Sequence, residues 1–147
     1  MKISDDITTS KLLSKLLQTK SIKRFITHFD EQLVTEPLNL YLKRLCKEKS
    51  LSPSEVIRVA NIERTYGLQI FRGIKNPSRD KVILLAFGLK LNLDETQQLL
   101  KAANKSLLYP KIKRDAVIIY CINNNMNVLD VQFILSDLQL PLLGEAI

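Results

Sequence analysis

An all-α fold follows from three features of the chain. No stretch sustains the alternation of apolar and polar residues that a half-buried strand requires. Apolar residues recur instead at spacings of three and four, which line one face of a helix. Helix start signals also repeat: Ser52 with Glu55, Asn92 with Glu95 and Asn127 with Asp130 each place a capping oxygen three residues before a carboxylate. About nine helical segments result.

Taken in order, TSKLLSKLLQTK carries Leu12, Leu13, Leu16 and Leu17 on one stripe, and SIKRFITHFDEQLV carries Ile22, Phe25, Ile26, Phe29 and Leu33 on another. Both are amphipathic and need a partner surface. Pro37 suits the first turn of the third helix, whose inner face holds Leu38, Tyr41, Leu42 and Leu45. Ser52 as N-cap and Pro53 at the first helical position open the fourth. The fifth, ERTYGLQIFRG, follows the short turn ANI and is expected to close on a left-handed Gly73. After the turn KNPSRD, Ser78 caps the sixth helix and Asp80 sits in its first turn, with Val82, Ile83, Leu85, Ala86 and Leu89 as core. Asn92 opens the seventh. KIKRDAVIIYCINN after Pro110 and NVLDVQFILSDL before Pro141 complete the set.

A length of 147 residues suits one domain, or one domain with appended helices. With 46% hydrophobic and 25% charged residues, the chain can build a core without a disulfide or metal staple. Cys46 and Cys121 each fall inside an apolar helical pattern and read as buried free thiols in a reducing compartment. Lysines break the apolar runs, so no membrane span is expected. MKISDDITTSKLL lacks the apolar centre of a signal peptide, and a cytoplasmic location is expected. No enzyme signature stands out. His28 is the lone histidine, and there is no metal-ligand spacing, glycine-rich phosphate loop or Ser/His/Asp set. Neither a cofactor nor a metal is expected.

The net charge of +7 is unevenly placed. Residues 1–36 hold six basic and five acidic side chains, residues 37–104 hold twelve and six, and residues 105–147 hold four and four. The excess lies in the middle segment, where a basic surface suits a polyanion such as nucleic acid. A solvated basic face without a partner would give the same numbers.

Within that segment, Leu51 to Gly73 is one unit: a capped helix of about eight residues, a short turn and a helix of about ten. Helices joined this tightly cross steeply, which is helix-turn-helix spacing. Around it stand Leu51, Ser52, Glu55, Val56, Ala60, Ile62, Ile70, Gly73, Pro77, Ser78, Leu85, Ala86, Leu93, Asp94 and Glu95. At these spacings they resemble the Cro/repressor (XRE) family of helix-turn-helix DNA-binding domains, across residues 38–103. The longer arrangement, with RTYGLQIFRGIKNPSRD followed by LYPKIKRDAVIIY, is similar to a group of small XRE-type regulators of Gram-positive bacteria and their mobile elements. The resemblance implies a five-helix XRE-type domain over residues 37–104. Two added N-terminal helices would occupy residues 1–36 and two added C-terminal helices residues 105–147.

It also implies double-stranded DNA as partner, read in the major groove by the helix spanning 63–72. Arg64, Thr65 and Gln69 take the base-contacting positions, and their chemistry fits guanine, the thymine methyl and adenine. Ser52, Ser54, Arg72, Lys75, Asn76 and Arg79 are the candidate backbone contacts. Ile62, Tyr66, Gly67, Ile70 and Ile74 are expected on the inner face. Gly67 replaces an aliphatic core residue, and close packing of an added helix is its expected reason. Two readings stay open for Leu68 and Phe71, burial or an exposed apolar patch for a protein partner. The second would make the chain a protein-binding inhibitor or accessory factor on the same scaffold. Lys111, Lys113 and Arg114 form a further basic cluster, read either as a solvated turn or as a second phosphate contact. A homodimer through the terminal helices and a monomer whose extra helices wrap the core both fit the sequence.

Overall fold

A computed structural model describes residues 8–29 and 36–144. Among the described residues there are nine α-helices and no strand. None of these helices is long and apolar enough to cross a membrane. The chain divides into two compact units, Met1–Thr35 and Glu36–Ile147, so the C-terminal helices belong with the middle segment.

In the first unit, α1 (Thr9–Gln18) and α2 (Ile22–His28) are capped by the hydroxyls of Thr8 and Ser21, which accept from the Lys11 and Arg24 backbone N–H groups. The leucine stripe of α1 is present, but Leu13, Leu16 and Leu17 remain exposed. On α2, Phe25 is buried and its ring packs 4.9 Å from that of Phe29. Leu33 lies outside the described residues.

The second unit holds α3 (Leu38–Glu48), α4 (Pro53–Val59), α5 (Arg64–Phe71), α6 (Arg79–Gly88), α7 (Leu93–Ala102), α8 (Lys113–Asn123) and α9 (Val128–Asp137). Every one of these helices ends the same way. A residue with φ between +55° and +78° follows the last turn: Ser50, Asn61, Gly73, Lys90, Asn104, Asn125 or Gln139. The next residue's N–H then reaches back to a carbonyl five residues earlier, as Leu51 does to Cys46 and Met126 to Cys121. This closure satisfies orphan carbonyls and reverses the chain within a few residues. Only Gly73 adopts the left-handed conformation without a Cβ penalty. The expected starts are also present, with full capping boxes at Asn92/Glu95 and Asn127/Asp130.

α6 is the centre of this unit. Residues 82–89 are all buried, which requires neighbours on every side. α4 and α7 both pack on it. Gly88 permits the approach of α4, since a Cβ there would lie 2.4 Å from the Val56 carbonyl oxygen. Ile118, Cys121, Val131 and Leu135 join the same core as Leu42, Ile57 and Leu85.

The last four helices form an internal repeat. The α6–α7 hairpin aligns with α8–α9 at an offset of 35 residues, which puts Asp80 opposite Asp115. Val82 and Val117, Ile83 and Ile118, and Leu100 and Leu135 are identical pairs. The hydrogen bonds repeat as well. Gln97 bonds both backbone groups of Leu108 at 2.8 and 3.0 Å, and Gln132 bonds both of Leu143 at 2.8 and 2.9 Å. At the helix starts the pairing is exchanged. Arg79 grips Asp115 through two bonds of 2.9 and 3.1 Å, while Arg114 grips Asp80 through two of 2.8 and 2.9 Å. A stack of repeats would pair in one direction only. Reciprocal exchange places the two hairpins about an approximate two-fold axis.

Candidate nucleic-acid interface

The candidate surface is built on α4, the turn 60–63 and α5. Ser52 and Pro53 start α4, and the Ser52 hydroxyl oxygen accepts the Glu55 N–H at 3.2 Å. Asn61, at φ 58°, makes the left-handed turn. Glu63 then caps α5, its carboxylate accepting from the Thr65 and Tyr66 N–H groups at 2.8 and 3.0 Å. These two bonds, Thr65 first, hold the Glu63 carboxyl below the usual carboxylate range. The free amides at the start of α5 are therefore already partnered by an anion.

α5 presents two faces. Inward, Gly67, Ile70 and Phe71 are buried and Tyr66 is half-buried. Outward, Arg64, Thr65 and Arg72 are exposed, with Gln69 half-buried beside them. Lys75 and Asn76 are exposed in the loop that follows, and Ser54 is exposed on the first turn of α4. A groove of about 600 Å³ runs between α4 and α5, lined among others by Ser54, Arg58, Asn61 and Arg64. Arg58 was not among the candidates read from the sequence. Its side chain is 74% exposed and only 3.9 Å contact links it to Glu55. Its sign was a basic residue one face away from the buried Val56 and Ile57.

The arginines divide by partner. Arg44 bonds Glu36 at 2.8 Å, and Arg79 and Arg114 are locked to aspartates. Arg64 and Arg72 make no ion pair among the described residues. With Arg58, 74% exposed and held only by its 3.9 Å contact to Glu55, they give the α4–α5 face of the second unit its exposed guanidinium groups.

Several expectations need correction. Phe71 is 3% exposed and Leu68 is packed against the core, so the two form no exposed apolar patch. Gly67 makes room for Ile57 of α4 and not for an added helix: a Cβ would lie 2.6 Å from Ile57 Cγ2. Ile74 is 64% exposed, because the chain leaves the helix at Gly73 before that position can turn inward. Arg79 is taken out of the backbone-contact set, since it also donates to the carbonyls of Ser106 and Leu107 at 2.9 and 3.0 Å. Arg114 leaves the C-terminal basic cluster for the same reason, donating to the carbonyls of Pro141 and Leu142, both at 2.9 Å. Lys111 and Lys113 remain exposed. No family model matches the chain, and no curated protein or solved structure matches it.

Proposed function

We propose that this chain is a sequence-specific double-stranded DNA-binding transcriptional regulator of the Cro/repressor type, with α5 lying in the major groove. The supporting observation is that Arg64 and Arg72 on the α4–α5 face make no ion pair among the described residues, in a unit whose Arg44, Arg79 and Arg114 are bonded to carboxylates. Arg64, Thr65 and Gln69 read bases in this proposal. Arg58, Arg72, Lys75, Asn76, Ser52 and Ser54 position the protein on the backbone. The burial of Phe71 removes the feature on which the protein-binding alternative rested.

Operators read by such dimers place half-sites about 34–36 Å apart, and a two-fold dimer needs a self-complementary apolar face. α9 offers one. Leu129 and Phe133 stand one turn apart and each is 72% exposed. The matching positions of the first hairpin are Asp94 and Gln98, both polar. Apolar side chains thus stand exposed on α9 where the matching positions of the first hairpin are polar.

Selection from a random duplex library tests the reading. A defined, two-fold symmetric site is expected, with affinity falling steeply as salt rises. Arg64→Ala and Gln69→Ala should each relax preference at one defined base position, by about 1–3 kcal/mol. Arg58→Ala and Arg72→Ala should weaken all sequences alike and lower the salt slope by about one. An unselected library at moderate salt would end the proposal.

A further inference from the structure

A second site lies where the two repeated hairpins meet at the C-terminal ends of α6 and α8. There a pocket of about 200 Å³ has Phe87, Leu91, Ile122 and Met126 on its walls and Val59 of α4 beside them. Phe87 matches Ile122 and Leu91 matches Met126 in the repeat, so the pocket sits on the approximate two-fold axis. Its apolar walls keep a residual exposure of 6–8% at Phe87, Leu91 and Ile122, whereas Val82, Ile83, Leu85 and Ile118 of the same helices have none. Methionine adapts its shape to what it meets. An apolar cavity of roughly 150 Å³ is large enough to take benzene, so this one accommodates a phenyl ring or a branched aliphatic group.

The rim has a definite charge. Lys90, Asn125 and Asn127 border the opening. The left-handed backbone at Lys90 and Asn125 fixes both at helix ends. Lys90 makes no ion pair among the described residues. Asn127 uses its side-chain oxygen on the Asp130 N–H, and Asp130 in turn bonds the Asn127 N–H at 3.0 Å. The neighbouring anion is thus engaged by backbone, and the Asn127 side-chain amide nitrogen has no bond among the described residues. We propose that this pocket binds a carboxylate carried on a compact apolar body, with the body between the hairpins and the carboxylate at Lys90. The proposal is independent of DNA binding.

Methyl NMR of the full chain tests it. The chain has two methionines, so the Met126 methyl signal is readily assigned. Phenylacetate and 4-methylpentanoate are the free-acid probes, their primary amides the neutral controls, and a short peptide ending in leucine the peptide-borne form. Saturable Met126 shifts are expected with both acids, about tenfold weaker with the amides. Lys90→Gln, an exposed change, should weaken the acids about tenfold and leave the amides alone. Ile122→Phe should fill the pocket and abolish the shifts. A peptide that binds as well as the free acids identifies a chain terminus as the natural source, and one that does not identifies a small molecule. Absence of Met126 shifts with either acid overturns the proposal, as does equal acid affinity in parent and Lys90→Gln.

Discussion

A methyl group added at Gly67 would meet three atoms of Ile57, Cγ2 at 2.6 Å, Cγ1 at 2.8 Å and Cδ1 at 2.9 Å. Ile57 is itself 2% exposed and cannot retreat freely. Alanine improves helix propensity by about 1 kcal/mol, but overpacking of this kind costs about 1–3 kcal/mol. Gly67→Ala is therefore expected to destabilise, and Ile57→Ala to cost about 2–5 kcal/mol by leaving a cavity. Combined, the two should cost at least about 1 kcal/mol less than their sum, since each relieves the other. Strict additivity in urea titrations would refute this contact. Gly88→Ala should be worse than Gly67→Ala, because its obstacle is the Val56 carbonyl, a backbone atom that no rotamer moves. The sequence marked Gly67 as anomalous because a glycine sat at an inner position of an amphipathic pattern. It did not mark the partner. Which side chain fills a gap depends on the crossing of α4 and α5, and periodicity within one helix carries no information about that.

Among elements, the exchanged Arg–Asp pairs join the starts of α6 and α8, and their two halves are not equally dry. Asp115 is 3% exposed at the side chain and Asp80 is 25% exposed. Asp115 also accepts the Tyr109 N–H at 2.9 Å, as Asp80 accepts that of Gly144 at 2.9 Å. Removing one partner of a buried pair strands the other and costs about 3–5 kcal/mol. Asp115→Ala is expected to reach that range. Asp80→Ala should fall clearly below it, because water already reaches the Asp80 carboxylate and screens its pair with Arg114. Equal losses in thermal or urea unfolding would contradict the asymmetry. Caps such as Asn92/Glu95 were legible because both members sit within four residues and their bond is local. The lock was not, because Arg79 and Asp115 lie 36 residues apart and Asp80 already had a sufficient local reading in the first turn of its helix. The paired Arg-Asp dipeptides at 79–80 and 114–115 were its visible trace in the sequence.

For the whole second unit, the depressed carboxylates set the response to acid. Burial alone would raise the Asp80 carboxyl, but its bonds to Arg114 and the Gly144 N–H prevail and hold it below 3.8. Lys49, bonded at 2.9 Å, and the Asn92 N–H hold Glu95 below 4.5. A carboxyl whose folded pKa lies below its unfolded value stabilises fully above the unfolded value, and the contribution disappears as pH falls through the folded one. Protonation also adds to the charge of the whole chain, already +7 at pH 7, and like-charge repulsion disfavours the compact state. Urea midpoints should therefore stay level from pH 7 down to about pH 5 and decline below about pH 4.5. Asp80→Asn should lower the neutral plateau and flatten the decline, since the group that gains proton affinity on unfolding is gone. A variant whose stability falls as steeply as the parent's would show that Asp80 does not carry the acid sensitivity. A parent that grows more stable in acid would refute the ion-pair account of how the two hairpins are held together.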